Sequence, residues 1–421
     1  MRVLRKTGHE DGILGEGVLM EIPQAVERII DTLETAGFEA YAVGGCVRDT
    51  LLGRTPEDWD ITTSARPEQV KALFRRTIDT GIQHGTVTVL ENRQGYEVTT
   101  YRIDGEYEDG RHPKSVEFTA NLTEDLKRRD FTINAMAYSH KTGIVDEFGG
   151  MEDLKRGIIR CVGRAEDRFT EDALRILRAI RFSAQLGFDI EEETMAAVRQ
   201  IAPNLVHVSK ERIQVELTKL LKSPHPQRMS LVFETGIAAY VSDHFAEAGD
   251  PGMEGSGGSS RPRNFLTPEF SPEKAVRWAA FLRRLDGGKT EQILKELKLD
   301  NDTISRAKLL VSWWNRPLPP DKYEVRKAMS AMDAQMFDSL LEFRCASGTD
   351  TPEETETLKA LAEEIRRDGD CISLKTLAVT GRDLIAAGEK PGPQIGERLA
   401  RMLDEVLKNP EHNTKEYLLR F

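Results

Sequence analysis

Near Gly150 the hydrophobic pattern of the chain changes period, and this limits the fold more than any other feature. Upstream, short strand-like runs mix with short helical patterns. Residues 22–37 carry apolar side chains at Ile22, Val26, Ile29, Ile30 and Leu33, the spacing of an amphipathic helix that ends near Gly37. Ala40–Val43 is a short buried strand stopped by Gly44-Gly45, and Asp58–Thr62 is a second strand. Thr86–Leu90 and Tyr96–Arg102 form two more, joined by a turn around Asn92–Gly95. Downstream the pattern is helical. Thr170–Leu186 is one helix, with Thr170 as N-cap and Gly187 at its C-terminal end, and Ser209–Leu221 is another. Helical patterns resume after Pro272 and run to the end, with loops near Pro317–Pro320 and Gly388–Pro393. Residues 249–272, with MEGSGGSSRPR, form a flexible loop. An α+β or α/β head followed by helices is the expected plan, and 421 residues suggest several domains.

Composition removes several classes of function. No apolar run approaches the ~20 residues that span a bilayer. Residues 1–21 form an N-terminal extension that is basic at first but has no continuous apolar core, so a signal peptide is not expected and a cytoplasmic protein is. Met20 is an alternative start. Cys46, Cys161, Cys345 and Cys371 are far apart, which points to free thiols, not zinc or disulfides. A net charge of −11 argues against indiscriminate nucleic-acid binding. Local basic stripes at Lys127–Arg129 and in 164–181 leave RNA as a partner.

The chemistry-bearing residues begin at Gly44-Gly45-Cys46-Val47-Arg48-Asp49. Two glycines between a strand and a helix let backbone N–H groups approach phosphates, and Arg48 adds a charged donor. Alone, such a pair is as readily a plain tight turn. Asp58 and Asp60 follow, two apart on the expected strand and so on one face. Adjacent carboxylates repel unless a cation lies between them, and hard oxygen donors favour Mg²⁺. Alone, this pair also describes a solvated acidic strand end. Glu97 is the candidate third carboxylate. Arg128-Arg129-Asp130-Phe131-Thr132-Ile133-Asn134 mixes Arg for phosphate with Asp and Asn for sugar hydroxyls. The same run also fits the capped start of a helix with a basic face.

In Glu171-Asp172-Ala173-Leu174-Arg175, Asp172 and Arg175 are spaced i and i+3, on one helical face. An ordinary intrahelical ion pair has this spacing too. A carboxylate beside a guanidinium also matches the amino-donor and ring-nitrogen-acceptor edge shared by cytosine and adenine. Uracil and guanine present the reverse order. Base-edge contacts of this kind discriminate by ~1–3 kcal/mol each.

These motifs, in this order, resemble the class II tRNA nucleotidyltransferases, the bacterial and eukaryotic CCA-adding branch of the polymerase-β superfamily, which also contains bacterial poly(A) polymerases. The resemblance is strong over residues 22–222, through Lys210-Glu211-Arg212 … Glu216-Leu217. Thr380–Leu384 and Lys390–Gly396 look like the tail of the bacterial members.

The resemblance implies an α+β fold: a polymerase-β-like head with a small mixed sheet at 22–150, then an all-helical neck at 151–223, body at 224–345 and tail at 346–421. It implies addition of C, C and A from CTP and ATP to the tRNA 3′ end, with release of pyrophosphate and dependence on Mg²⁺. It puts metal ligands at Asp58 and Asp60, triphosphate contacts near Gly44, Gly45 and Arg48, and ribose contacts around Arg129, Asp130 and Asn134. Base recognition falls to Asp172 and Arg175, with Arg178 near the nucleotide or its phosphates. Body and tail would grip the tRNA.

The stretch Asp104–Pro113 looks like the full-length flexible loop of complete CCA-adding enzymes and keeps Arg111. The end at Arg420-Phe421 carries no basic extension of the kind poly(A) polymerases have. The only adjacent His and Asp, Asp243-His244, are in the wrong order for the phosphohydrolase motif of some longer relatives. CC-adding, A-adding and poly(A)-adding enzymes, and an inactive tRNA-binding module, stay as alternatives. No membrane partner is expected, and a homodimer is left open.

Overall fold

The computed structural model describes residues 20–105, 116–249 and 270–421. The chain divides into two compact units at residues 249/250.

The first unit opens with α1 (Gln24–Thr35), whose Val26, Ile29, Ile30 and Leu33 form a buried stripe. The helix starts after Pro23, two residues later than the apolar spacing suggests, because Pro23 sits at ψ 139, outside helical space, and a proline disfavours the helical conformation for the Ile22 before it. Gly37 follows with φ +89. Then come β1 (Ala40–Val43), α2 (Gly45–Leu51), β2 (Asp60–Thr63), α3 (Pro67–Leu73), β3 (Thr77–Gly81), β4 (Thr86–Glu91) and β5 (Gln94–Thr100). The pair β6 (Arg102–Asp104) and β7 (Val116–Phe118) is antiparallel. Next are α4 (Leu122–Lys127), β8 (Ala137–Ser139) and β9 (Gly143–Val145).

One seven-stranded sheet has the order β3-β4-β5-β2-β1-β8-β9. Only β2 and β5 run parallel; the other neighbours are antiparallel. The mixed sheet confirms an α+β head. The β4–β5 hairpin is longer and its turn tighter than the sequence suggests. Asn92 and Arg93, with φ 52 and 68, make a two-residue turn of the kind whose twist matches the flanking strands.

The helical part of this unit contains α5 (Gly150–Arg156), α6 (Ala165–Glu171), α7 (Leu174–Leu186), α8 (Glu192–Ile201) and α9 (Lys210–Leu221). A small parallel pair, Ile158–Ile159 with Asp189–Ile190, ties its start to the end of α7. The expected single helix over Thr170–Leu186 is two helices. Asp172 sits between them at φ −147 and ψ 102, outside helical space, and its carboxylate accepts from the Leu174 N–H at 3.1 Å. The side chain thus caps a new helix at the point where the first one stops. Gly187 ends α7 in the left-handed conformation, φ 77.

The second unit is helical. Leu318, Val325, Phe337, Leu341, Leu358 and Ile365 form one core, and Leu377, Leu384, Met402, Val406 and Leu418 another. Two buried arginines brace it. Arg344 donates to Asp350 at 2.5 and 2.6 Å, and Arg326 to Asp370 at 2.6 Å. Thr351 and Glu354 cap the longest helix reciprocally. The four cysteines are free. Among the described residues no helix is long and apolar enough to cross a membrane. The expected loop over 249–272 lies, apart from its ends, outside the described residues.

Candidate functional site

The parallel register of β2 and β5 sets Asp60 directly opposite Glu97. Residues paired across neighbouring strands face the same side of a sheet, so the two carboxylates lie side by side. Asp58 is different. It precedes the strand, which begins at Asp60, so strand alternation does not place it beside Asp60. Charge links the three acids instead. Burial raises the Asp60 pKa, Arg129 opposes that, and Asp58 adds to it. Burial, then Asp60, then Asp58 raise the Glu97 pKa. Among the described residues no three His, Cys, Asp or Glu side chains converge into a closed metal cage. Asp58 and Asp60 are a partial donor set, suited to a cation whose other ligands are water and phosphate.

The glycine turn lies next to this acidic face. Gly44 has φ 83, a conformation that disfavours a side chain, and its N–H donates to the Met136 carbonyl at 3.1 Å. A Cβ there would stand 2.9 Å from Arg129 Nη1. Arg129 is therefore close against the glycine backbone and electrostatically coupled to Asp60. Its Nη2 lies 3.5 Å from Asp125, and its buried Nε has no hydrogen-bond acceptor. Burial lowers the Arg129 pKa, against the pull of Asp125 and Asp60. A desolvated cation with an unused donor, beside both the glycine turn and the acids, is a place for an anionic oxygen.

Arg48 is committed elsewhere. It donates to both Asp49 oxygens at 2.9 Å and to Asn134 Oδ1 at 2.6 Å, and its guanidinium lies 5.0 Å from the Phe182 ring centre. Asn134 in turn donates to Asp130 Oδ1 at 3.0 Å. Asp130 also accepts from the Phe131 N–H at 2.9 Å and from Arg178 at 2.8 and 2.6 Å. Burial alone would raise the Asp130 pKa, but Arg178, Asn134 and Arg175 hold it well below the carboxylate range. With its oxygens filled, Asp130 orients Arg178 and has little capacity left for a sugar hydroxyl. Behind it, Arg181 donates to the buried Glu216 at 2.8 Å, and Arg178 lies 3.7 Å from the same carboxylate. Arg48, Arg178 and Arg181 all stack on Phe182.

Asp172 and Arg175 lie across the break between α6 and α7, not on one continuous helix. Asp172 presents its second oxygen to Arg212 Nη2 at 2.6 Å. Arg175 donates to Glu171 at 2.7 Å and to the Arg128 carbonyl at 3.3 Å. Arg212, Glu216 and Phe182 are structural partners that sequence reasoning gave no role. For the first two the signal was the Lys210–Leu217 pattern on α9; Phe182 was hidden in the apolar stripe of α7. Arg111, expected on a flexible loop, lies outside the described residues.

A mixed sheet with a glycine turn after its first strand, paired acids on the two strands that follow it in the sheet and a half-buried arginine coupled to them defines a nucleotidyltransferase head. The model of the poly(A) polymerase head domain matches residues 40–160. The model described as "Probable RNA and SrmB-binding site of polymerase A" matches 187–248, and that described as "tRNA nucleotidyltransferase domain 2 putative" matches 271–421. The chain is 39% identical over 412 residues to the CCA-adding enzyme of Leuconostoc mesenteroides, covering 96% of this chain and 98% of that one. It is 39% identical over 395 residues to that of Geobacillus kaustophilus, covering 92% and 93%. The crystal structure of the Bacillus stearothermophilus CCA-adding enzyme in complex with CTP superposes with a TM-score of 0.78 at 35% identity, over 94% of this chain and 95% of that one. The chain belongs to the family of CCA-adding enzymes.

Proposed function

We propose that the protein adds C, C and A, from CTP and ATP, to the 3′ end of tRNA and releases pyrophosphate, without a nucleic-acid template. The observation that carries the site assignment is Arg129, a half-buried guanidinium whose buried Nε is unpaired, beside Gly44 and Asp60. It gives the triphosphate a fixed positive partner next to the acids. Mg²⁺, held by Asp58 and Asp60, would supply the charge that lowers the pKa of the tRNA 3′-hydroxyl and offsets the negative charge of the phosphates. Glu97 adds negative charge beside Asp60 and strengthens the demand for a cation. Gly44 and Gly45 let the backbone approach the phosphates.

Asp130 and Asn134 act one step back, by fixing Arg178 and Arg48 where sugar and phosphate pass. Asp172 accepts the amino group of cytosine or adenine and Arg175 donates to the ring nitrogen, so uracil and guanine leave unpaired groups at the same edge. Arg212 holds the Asp172 carboxylate in place for this. The head at 22–150 performs transfer and the neck at 151–223 reads the base. The body at 224–345 and tail at 346–421 grip the tRNA, in the cytoplasm.

The test is incubation of the protein with tRNA lacking its 3′ CCA, Mg²⁺, and CTP, ATP or both, with products resolved to one nucleotide. Growth by three only with both nucleotides supports the proposal. Arrest after CC, addition of A alone to ends that carry CC, or a long A ladder each replaces it with the corresponding relative. No growth overturns it.

A further inference from the structure

Beyond the transfer site, the head carries a second cationic feature. A cleft of about 550 Å³ opens at the sheet edge, between the end of α3, the last residues of β4 and the hairpin tip. Arg75, Arg76 and Arg93 line it, together with Glu91. Glu91 is already neutralised by Arg28, at 2.9 Å from outside the cleft. Lys71 on α3 and Asp79 on β3 pair with each other at 2.8 Å. All three lining arginines are exposed, and none has a side-chain hydrogen bond or ion pair among the described residues.

Three unpaired guanidiniums around one cavity make a local positive patch on a chain of net charge −11, a place that attracts an anion the rest of the surface repels. The hairpin points the same way. Arg93 is held at φ 68, in the left-handed region that disfavours an L side chain, although Gly95 stands only two residues away in the same hairpin. The turn thus presents an arginine at a position where glycine would be easier. Arg93 is four residues before Glu97 along β5, or roughly 13 Å at the usual strand rise. That distance is a reach of a few nucleotides from a 3′ end held at the acids.

We propose that Arg75, Arg76 and Arg93 form a phosphate-backbone site for the RNA strand that leads into the transfer site. The ligand class is a polyanionic strand, read by charge and not by base. The assignment rests on the proposed RNA substrate. Its test does not require turnover, so failure of one is separable from failure of the other.

The full chain and the Arg75→Gln/Arg76→Gln/Arg93→Asn variant are titrated with tRNA lacking CCA across a series of KCl concentrations. The KM for CTP is measured in parallel. Loss of three phosphate contacts should reduce the slope of log affinity against log salt by about 2 to 3 and weaken binding at moderate salt, with the KM for CTP unchanged. Arg93→Asn alone, which removes both charge and strain, should melt no lower than the wild type while its slope falls by about 1. It serves as the reference if the triple variant fails to fold. An unchanged salt slope overturns the proposal. So does a raised KM for CTP with tRNA affinity intact, which would make the cleft a site for free nucleotide.

Discussion

Replacing Arg212 with methionine tests whether base choice depends on how Asp172 is held. In the structure Arg212 Nη2 donates to Asp172 Oδ2 at 2.6 Å, with the side chains 22% and 15% exposed. A hydrogen bond between charged groups contributes ~1.5–3 kcal/mol. Partial solvent access and the remaining bond from the Leu174 N–H bring the expected loss to ~1–2 kcal/mol. In Arg212→Met the carboxylate can swing away from the cytosine amino group, and kcat/KM for CTP and ATP should fall ~5- to 30-fold. Uracil makes no use of that carboxylate as an acceptor, so UTP incorporation should hardly change. The CTP/UTP ratio should therefore contract by the same factor, and Arg212→Lys should restore part of it. The assay is kcat/KM for each nucleotide on tRNA lacking CCA, paired with a thermal melt. An Arg212→Met protein that melts like the wild type and keeps its full CTP/UTP ratio would refute the reasoning.

Asp58→Asn and Asp60→Asn should each abolish transfer while tRNA affinity, measured by filter binding, is retained. Because the Asp60 pKa is raised in the folded protein, its charged form opposes folding at neutral pH and stability should rise as pH falls through that pKa; Asp60→Asn should melt at or above the wild type. Mg²⁺ should raise the melting temperature of the wild type but not of Asp60→Asn, and chelation should reverse it. The Asp130 pKa is lowered, so its contribution is present above the ordinary carboxylate value of about 3.9 and lost as pH falls below it. Arg178→Met should cost ~2–4 kcal/mol at neutral pH, less than a fully stripped buried charge because Asn134 and Phe131 still donate, and should flatten the acid limb of the melting profile. Gly44→Ala should raise the KM for both nucleotides, since φ 83 costs ~1–2 kcal/mol for alanine and the methyl meets Arg129.

Several of these side chains were legible in the sequence because their signals are local. Gly44-Gly45 ends a buried strand, whereas the two-residue spacing of Asp58 and Asp60 implied a shared strand face that the start of β2 at Asp60 does not give. Gly187 stops a long apolar stripe. What was not legible depends on local competition that periodicity hides or on partners far along the chain. Asp172 looks like an interior helical residue until its own carboxylate is seen to cap Leu174, a local competition that periodicity averages away. Arg48 and Asp130 look like ligand-binding groups by type. In fact Arg48 donates to the adjacent Asp49 and to Asn134, 86 residues distant, and Asp130 accepts from Arg178, 48 residues distant. The part played by Glu216 requires α9 to pack on α7, which no spacing on α9 alone reveals.

One exchange of direction in the sheet carries a genetic consequence. Asp60 and Glu97 meet only because β2 and β5 run the same way through a register of four paired residues, Asp60↔Glu97 to Thr63↔Thr100. Side chains alternate along a strand, so the pairing has a parity as well as a position. Codons gained at the exposed Asn92-Arg93 turn change only the length of a loop over the surface. One codon gained between Tyr96 and Glu97 turns that carboxylate to the opposite face and drags Val98 and Thr100 out of the core with it, or else displaces Tyr96 from the core on the other side of the insertion. Reading frame is preserved in both cases, yet the first should be tolerated and the second should not. A scan of single-codon insertions through this hairpin would therefore show a boundary of viability at the strand ends that no count of conserved letters would mark.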